Sequence, residues 1–561
     1  MFGKSASPGL AFGKVVIVED IFDKVTATKI DDTSSEVERF ESILKEVVGE
    51  LETLSKEALQ KDQQEIFEAH SMLAADPSFK KEVLKLISES SFSLSYALKE
   101  TGLSFMAKFE ALEDDYFKER ALDIKDITTR FISKSMGLST SSLRNLPNDV
   151  VLVARDLTPS QTAAIDKTKV KGFITELGGV TSHTAIIART LEIPAIVGAK
   201  GLLSEVSNGD LLALDGLSGQ VFLKPSDDFI GELKVQIEKE QEYKEALKTY
   251  IDKETITSDG HKLKVLGNIS SVEDAKNVLK NGGEGIGLLR TEFLYMESSA
   301  APNEEKQFNF YKEILEIMGK RPVTIRTFDI GGDKEVSYLN LEKEDNPFLG
   351  YRAIRISLDE IDLFKTQLRA ILRASVFGNA KIMFPMIATH REILRAKEIL
   401  EQCKQELSNE GLDFDQEIEI GIMIEIPAAA IMADLLAKEV DFFSIGTNDL
   451  IQYTMAVDRM NDKLDDLYSF YDPSVIRLIS MTINGAKSAG IPVGMCGSMA
   501  SELQLTELLV GLGLSTFSVT SGSILSVRKN IIETSFSKCD ELVPSALNSS
   551  DKSHILEMFT L

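Results

Sequence analysis

The chain has 561 residues, too many for one ordinary core, so two to four domains are expected. Hydrophobic residues make up 43 % and charged residues 27 %, no apolar run is long enough to span a bilayer, and no export signal opens the chain. A net charge of −26 argues against broad binding to nucleic acid or anionic membranes, and three scattered cysteines, Cys403, Cys496 and Cys539, argue against a disulfide framework, so the composition points to a reducing cytoplasm.

Residues 1–20 read as a short β element with a turn at Pro8 and Gly9. From about Asp31 to Lys134 apolar residues recur at three- and four-residue spacing with a single proline, Pro77, the pattern of packed amphipathic helices. Strand-and-turn character returns near Asn148, in DVVLVARDL, KGFITELGG, AIVGA, GDLLALDG and GQVFLKP. A helical inset within a small α/β domain explains this order. Beyond Pro225, a charged stretch with no glycine or proline after Gly231 predicts a connecting helix over about 226–256. The expected segments are therefore an α/β domain (1–20 and 145–225), a helical subdomain (21–144), the linker helix (226–256), a further domain (257–540) and a tail (541–561).

That further domain carries eight short apolar runs: 264–269, 285–289, 323–328, 381–387, 419–426, 441–446, 491–496 and 515–519. Each is separated from the next by enough chain for a helix, as parallel strands require, and eight such units in this length predict a (β/α)8 barrel. Polar residues cluster just after the runs: Asn268, Arg290, Arg326 with Asp329, Glu425, Asn448 with Asp449, and Cys496. In a barrel these positions form the C-terminal rim, where active sites are built.

Two motifs carry chemistry. In GGVTSHTAIIART (178–190), two glycines lead into Thr181, Ser182 and His183, and a helical segment with Arg189 follows. A histidine beside small hydroxyls at a helix start suits acceptance of a phosphoryl group, since backbone N–H groups and the helix dipole stabilise the added charge. On the barrel, GIGLLRTEFLYM carries Arg290, VTIRTFDIGGDKE carries Arg326, Asp329 and Lys334, NPFLGYRAIRIS carries Arg352, and GTNDLIQYTMAVDRM carries Asn448, Asp449 and Arg459. Several arginines at one mouth suit a small substrate bearing phosphate and carboxylate, because guanidinium pairs with each bidentately. Glu425 and Asp449 offer hard oxygens for Mg²⁺.

The histidine segment resembles the phosphohistidine signature of the phosphoenolpyruvate-utilising enzymes, and the barrel segments resemble the phosphoenolpyruvate-binding barrel of the same family. Nearly the whole chain is most similar to Enzyme I of the sugar phosphotransferase system, through SASPGLAFGKV, IFEAHSMLAADP and DDYFKERALDIKDI as well. No glycine-rich ATP loop of the related dikinases is recognisable. The resemblance implies a multidomain α/β chain: a phosphohistidine α/β domain with an inserted helical bundle, joined by a linker helix to a (β/α)8 barrel. It implies that His183 is phosphorylated, with Thr181 orienting the group. Arg290, Arg326, Asn448, Asp449 and Arg459 would bind phosphoenolpyruvate, Glu425 and Asp449 would hold Mg²⁺, and Cys496 would protonate the enolpyruvate carbon to give pyruvate. Arg189, Lys334, Arg352 and His70 are supporting residues. The acidic helical inset would dock the carrier protein HPr, and the barrel would form a homodimer.

Two positions depart from the family pattern. Ser498 stands where a glutamate is usual after the acid, and Asp472 stands where a histidine is usual. Besides sugar uptake, two readings stay open: a regulatory phosphorelay with another acceptor, and a catalytically weak phosphoenolpyruvate sensor.

Overall fold

The computed structural model describes the chain except residues 58–60, 111–114, 139–145, 159–160, 163–164, 180–182, 192, 297, 299, 333, 335, 340, 460, 465 and 560–561. The chain divides into two compact units, Met1–Gln241 and Glu242–Leu561, each with its own core. The boundary falls within one long helix, Asp227–Lys248.

The first unit contains a seven-stranded sheet: β1 (Lys4–Ser7), β2 (Leu10–Val18), β3 (Val150–Ala154), β4 (Val170–Thr175), β5 (Ala195–Val197), β6 (Leu211–Asp215) and β7 (Gln220–Leu223), in the order β1-β5-β4-β3-β2-β6-β7. β2 pairs with β3 in parallel, from Lys14 opposite Val150 to Val18 opposite Ala154. A parallel neighbour cannot be reached by a tight turn, so the chain must leave the sheet and return. Here the excursion is the helical inset, whose helices include Thr33–Glu57, Lys61–Ala74, Pro77–Ser88, Leu94–Glu110 and Asp115–Ser135. Phe40, Val47, Val83, Leu98 and Phe131 are fully buried in its core, at the spacings the periodicity predicts. β3 is buried at all five residues, as a central strand covered on both faces should be.

In the second unit eight parallel strands close into a barrel: β8 (Lys264–Ile269), β9 (Ile286–Leu289), β10 (Pro322–Arg326), β11 (Asn379–Phe384), β12 (Glu419–Ile424), β13 (Phe442–Ile445), β14 (Val493–Met495) and β15 (Thr516–Val519). β15 closes on β8 with Phe517 opposite Val265. All eight apolar runs are strands, most of them trimmed at one or both ends, where the flanking residues cap helices or turn at the rim.

Two segments differ in extent from the sequence reading. The linker helix stops at Lys248 instead of continuing to 256. Beyond it, Tyr250 and Ile251 give their carbonyls to the guanidinium of Arg528, at 3.1 and 2.9 Å. Residues 541–561, set apart in the sequence as a tail, contribute to two helices, Phe536–Asn548 and Lys552–Phe559. Ala546, Ile555 and Phe559 join the barrel's core. The contact is close because Gly511 has no side chain: a Cβ there would lie 2.6 Å from the Cys539 backbone.

Arg528 is 1 % exposed and also donates to Gly282 O (2.5 Å) and Thr255 Oγ1 (3.1 Å). Its removal would leave three partly buried carbonyls without this donor. Arg528→Ala should destabilise the barrel by about 3–5 kcal/mol, read as a lowered midpoint of its urea transition.

Candidate functional site

The barrel rim is a cluster of buried charges. Arg326, the last residue of β10, is 5 % exposed; its Nη2 donates to Glu292 Oε1 at 2.7 Å, and its Nη1 lies 3.2 Å from Asp329 Oδ2. Lys334 Nζ reaches the same two carboxylates, at 3.1 Å (Glu292) and 2.8 Å (Asp329). Arg352, 2 % exposed, donates from Nη2 to Asp329 Oδ1 at 2.9 Å, and its Nη1 lies 3.5 Å from Asp449 Oδ1. Burial opposes every charge here, and the partners reverse the outcome. Burial alone would raise the pKa of Asp329, yet Arg326, Lys334 and Arg352 hold it well below the usual carboxylate range. Glu292 is likewise lowered, against burial, by Arg326 and Lys334. Burial disfavours the Arg326 guanidinium, but Glu292 and Asp329 keep it firmly charged.

Several rim features depend on backbone shape. The loop after β10 turns at Gly331 with φ +96°, and a Cβ there would lie 2.7 Å from that of Arg352. Ala353, beside Arg352, has φ +52°, and Met386 has φ +56°. A positive φ at a residue with a side chain is strained and persists only where the surroundings demand it. At Met386 the demand is visible, since its N–H donates to Glu425 Oε1 at 2.6 Å.

Glu425, just past β12, forms no ion pair among the described residues, and the charges of Arg326 and Arg352 only partly offset what raises it. Burial first, then the neighbouring Asp449 and Asp329, push its carboxyl up to about 8. Asp449 is 8 % exposed, and its Oδ1 has no hydrogen-bond partner. Two buried carboxylic groups that repel each other, one with an oxygen that accepts no hydrogen bond and has only Arg352 at 3.5 Å, fit a hard divalent cation. Among the described residues no group of three or more His, Cys, Asp or Glu side chains forms a cage, so such an ion would need further oxygens from substrate and water.

Cys496 follows β14 and is 6 % exposed. Burial pushes its thiol up to about 11, with Arg326 and Arg290 among the nearby charges, and the thiol donates to the Ile445 carbonyl at 3.8 Å. Its carbonyl accepts from Asn268 Nδ2 at 3.0 Å. Gly497 is required next to it, since a Cβ would lie 1.9 Å from Thr447 Oγ1. Asn448 accepts at Oδ1 from the Ser498 N–H at 3.0 Å, which fixes the turn after Cys496 to the start of the helix Thr447–Met455 that follows β13. Arg459 is held by its N–H to Gln452 Oε1 at 3.2 Å, and its charge acts on Tyr468, whose hydroxyl donates to the Asn448 carbonyl at 3.4 Å. The rim thus gathers Arg290, Arg326, Lys334, Arg352, Glu425, Asn448, Asp449 and Cys496, with Arg459 at its edge. Glu292 escaped the sequence reading. Its signal was a lone acid in TEFLYM directly after Arg290, where an apolar residue would otherwise be expected.

In the first unit, His183 is the first residue of the helix His183–Leu191. The next residue, Thr184, ties the helix start by donating to the Leu157 carbonyl at 3.2 Å. Thr181 lies outside the described residues. Arg189 is exposed on the same helix. His70 is fully buried in the helical inset, with Nε2 3.0 Å from Asp123 Oδ1 and Nδ1 3.4 Å from Asp126 Oδ2. Asp126 in turn accepts from Thr158 Oγ1 at 2.7 Å, which ties the inset to the loop after β3.

Three family profiles cover the chain: "PEP-utilising enzyme, N-terminal" over residues 2–120, "PEP-utilising enzyme, mobile domain" over 146–219 and "PEP-utilising enzyme, PEP-binding domain" over 244–536. The phosphoenolpyruvate-protein phosphotransferase of Priestia megaterium is 45 % identical over 99 % of this chain and 97 % of its own length. That of Geobacillus stearothermophilus is 47 % identical over 94 % and 92 %, and that of Bacillus subtilis 44 % over 99 % and 98 %. With the sheet, inset, closed barrel and rim on hand, the chain belongs to the phosphoenolpyruvate-protein phosphotransferases, the Enzyme I family.

Proposed function

We propose that this chain moves the phosphoryl group of phosphoenolpyruvate to His183, releases pyruvate, and passes the group on to the carrier protein HPr as the first step of sugar uptake. The observation that carries this reading is the buried rim cluster. Arg326, Arg352 and Lys334 are fixed before any substrate arrives, so they meet a phosphate and a carboxylate without reorganising. Arg290, Asn448, Asp449 and Arg459 complete the substrate's surroundings, and Glu425 with Asp449 would hold Mg²⁺. The bound ion would neutralise charge on the phosphate and on the enolate oxygen.

In the first half reaction the bridging P–O bond breaks, and a bond forms from phosphorus to an imidazole nitrogen of His183. The enolate carbon takes a proton from Cys496, which suits the task because burial keeps the thiol protonated at neutral pH. Thr181 and Arg189 would assist at the phosphorylated histidine. His183 must then face the carrier, so the units have to move relative to one another, with the helix Asp227–Lys248 as the lever. Three free cysteines among the described residues support a reaction in a reducing cytoplasm. Among those residues no helix is long and apolar enough to cross a membrane. The barrel's neighbouring helices expose Ile431, Leu435 and Met481 at 56, 45 and 44 %, an apolar patch that supports a homodimer.

The purified chain is incubated with phosphoenolpyruvate, Mg²⁺ and HPr, and pyruvate and acid-labile phosphate on both proteins are followed. Wild type is expected to label both proteins, and His183→Ala neither. Cys496→Ala should slow pyruvate release by about 10²–10⁴-fold. Undiminished labelling of HPr by His183→Ala would reject the proposal, and labelling of His183 without transfer would favour the regulatory relay.

Mg²⁺ binding supplies the pH prediction. The ion takes the charged form of Glu425, whose pKa is raised to about 8, so binding must displace a proton at lower pH. Calorimetric titration should give affinity rising up to about tenfold per pH unit from 6 towards 8, then levelling. Glu425→Gln should weaken binding and flatten that profile.

A further inference from the structure

The opposite end of the barrel holds a feature that the rim chemistry does not use. A cavity of about 250 Å³ lies at the strands' N-terminal ends, between the beginnings of β8, β10, β11, β13, β14 and β15. Bulky branched side chains normally fill an eight-stranded barrel in layers. Here the floor carries Gly287, Gly494, Thr324, Ser444 and Ser518 instead. Phe442 forms one wall, and its ring occupies the space above Gly421, where a Cβ would lie 2.3 Å from Cε2.

The lining includes three lysines, Lys262, Lys264 and Lys381. Lys381 pairs with Glu419 at 2.6 Å and stands 5.5 Å from the Phe442 ring centroid, and Lys262 lies 3.7 Å from Glu254. Lys264 is exposed and has no ion pair among the described residues. Of the three lining ammonium groups, Lys264 is thus the one without a carboxylate partner among the described residues. An apolar wall below that cation suits a small molecule with one negative charge and an apolar body.

Two of the floor residues also support Cys496 from below. Ser444 directly precedes Ile445, whose carbonyl accepts from the Cys496 thiol at 3.8 Å. Ser518 Oγ donates to Asn268 Oδ1 at 2.6 Å, and Asn268 Nδ2 donates to the Cys496 carbonyl at 3.0 Å. We propose that this cavity is a second binding site, for a small organic monocarboxylate, and that its occupancy is felt at Cys496 through Ser444 and Ser518. The carboxylate sits among the lysines, and the apolar body lies against Phe442 and Leu266. Only an effect on turnover would rest on Cys496 as the proton donor, so the test is read without turnover.

Benzoate is titrated into the full chain carrying methyl-labelled methionine, with benzyl alcohol as its uncharged counterpart. The expected result is a saturable shift of the Met495 methyl signal, about fivefold weaker for the alcohol and for Lys264→Gln, and lost in Thr324→Phe, which fills the cavity. Saturating benzoate should also change the rate at which iodoacetamide alkylates Cys496 by at least about twofold, in proportion to occupancy. No saturable shift would overturn the site. A shift untouched by both Lys264→Gln and Thr324→Phe would do the same, since it would put benzoate among the rim arginines. Should Thr324→Phe fail to fold, Lys264→Gln decides alone, its side chain being exposed. Binding with an unaltered alkylation rate would overturn the link to Cys496.

Discussion

The structure of the second unit turns on burial of charge at one end of a closed barrel. An ionised carboxylate or guanidinium taken from water loses several kcal/mol of solvation, which only close partners offset. Asp329 accepts Lys334 and Arg352 on separate oxygens, with Arg326 3.2 Å from one of them, and Glu292 takes Arg326 and Lys334 on one oxygen. Removing any one member takes a counter-charge from at least two other buried groups, at a cost of about 3–5 kcal/mol. The cluster is therefore rigid in the sense that matters for catalysis: its cations keep their positions whether or not an anion is bound. Closure of the barrel makes this possible, because every strand ends at the same rim and there is no open edge for water to enter.

Against that well-paired cluster, Glu425 and Asp449 are the incomplete part. They lie just past adjacent strands, β12 and β13, Asp449 in the first turn of the helix Thr447–Met455, and the nearest cation paired with either is Arg352, 3.5 Å from Asp449. The raised Glu425 carboxyl and an Asp449 Oδ1 that accepts no hydrogen bond are the physical marks of a place to be completed by something positive. Cys496 sits at the third consecutive strand of this arc, with its thiol kept protonated by the same burial that makes the charges costly. Binding, charge neutralisation and proton supply are thus arranged along β10 to β14 in strand order.

Much of this was legible in the sequence, since each barrel strand is a short apolar run and Arg290, Arg326, Glu425, Asp449 and Cys496 stand at or just past the end of one. Arg326, Asp449 and Cys496 were recognisable for that reason. Glu292 was not, because its role depends on Arg326 and Lys334, 34 and 42 residues away. The cavity floor was equally hidden: a Gly or Ser inside a strand reads as a weak strand, and only closure of the barrel turns several of them into a space. The two departures from the family pattern acquire a physical description. Asp472 caps the helix Pro473–Ala489, accepting from the Ser474 N–H at 2.9 Å, so an acid suits that helix start. Ser498 exposes its side chain and contributes its backbone N–H to Asn448, a bond that any residue other than proline supplies.

The central claim is that the phosphoryl group bonds to His183. Its most direct measurement is phosphorus NMR of the chain after brief exposure to phosphoenolpyruvate and Mg²⁺, with tandem mass spectrometry of its peptides under alkaline conditions. The account predicts a single phosphoramidate signal and one modified peptide, carrying the phosphate on His183. A phosphate on any other residue, or pyruvate released while the protein stays unmodified, would contradict it.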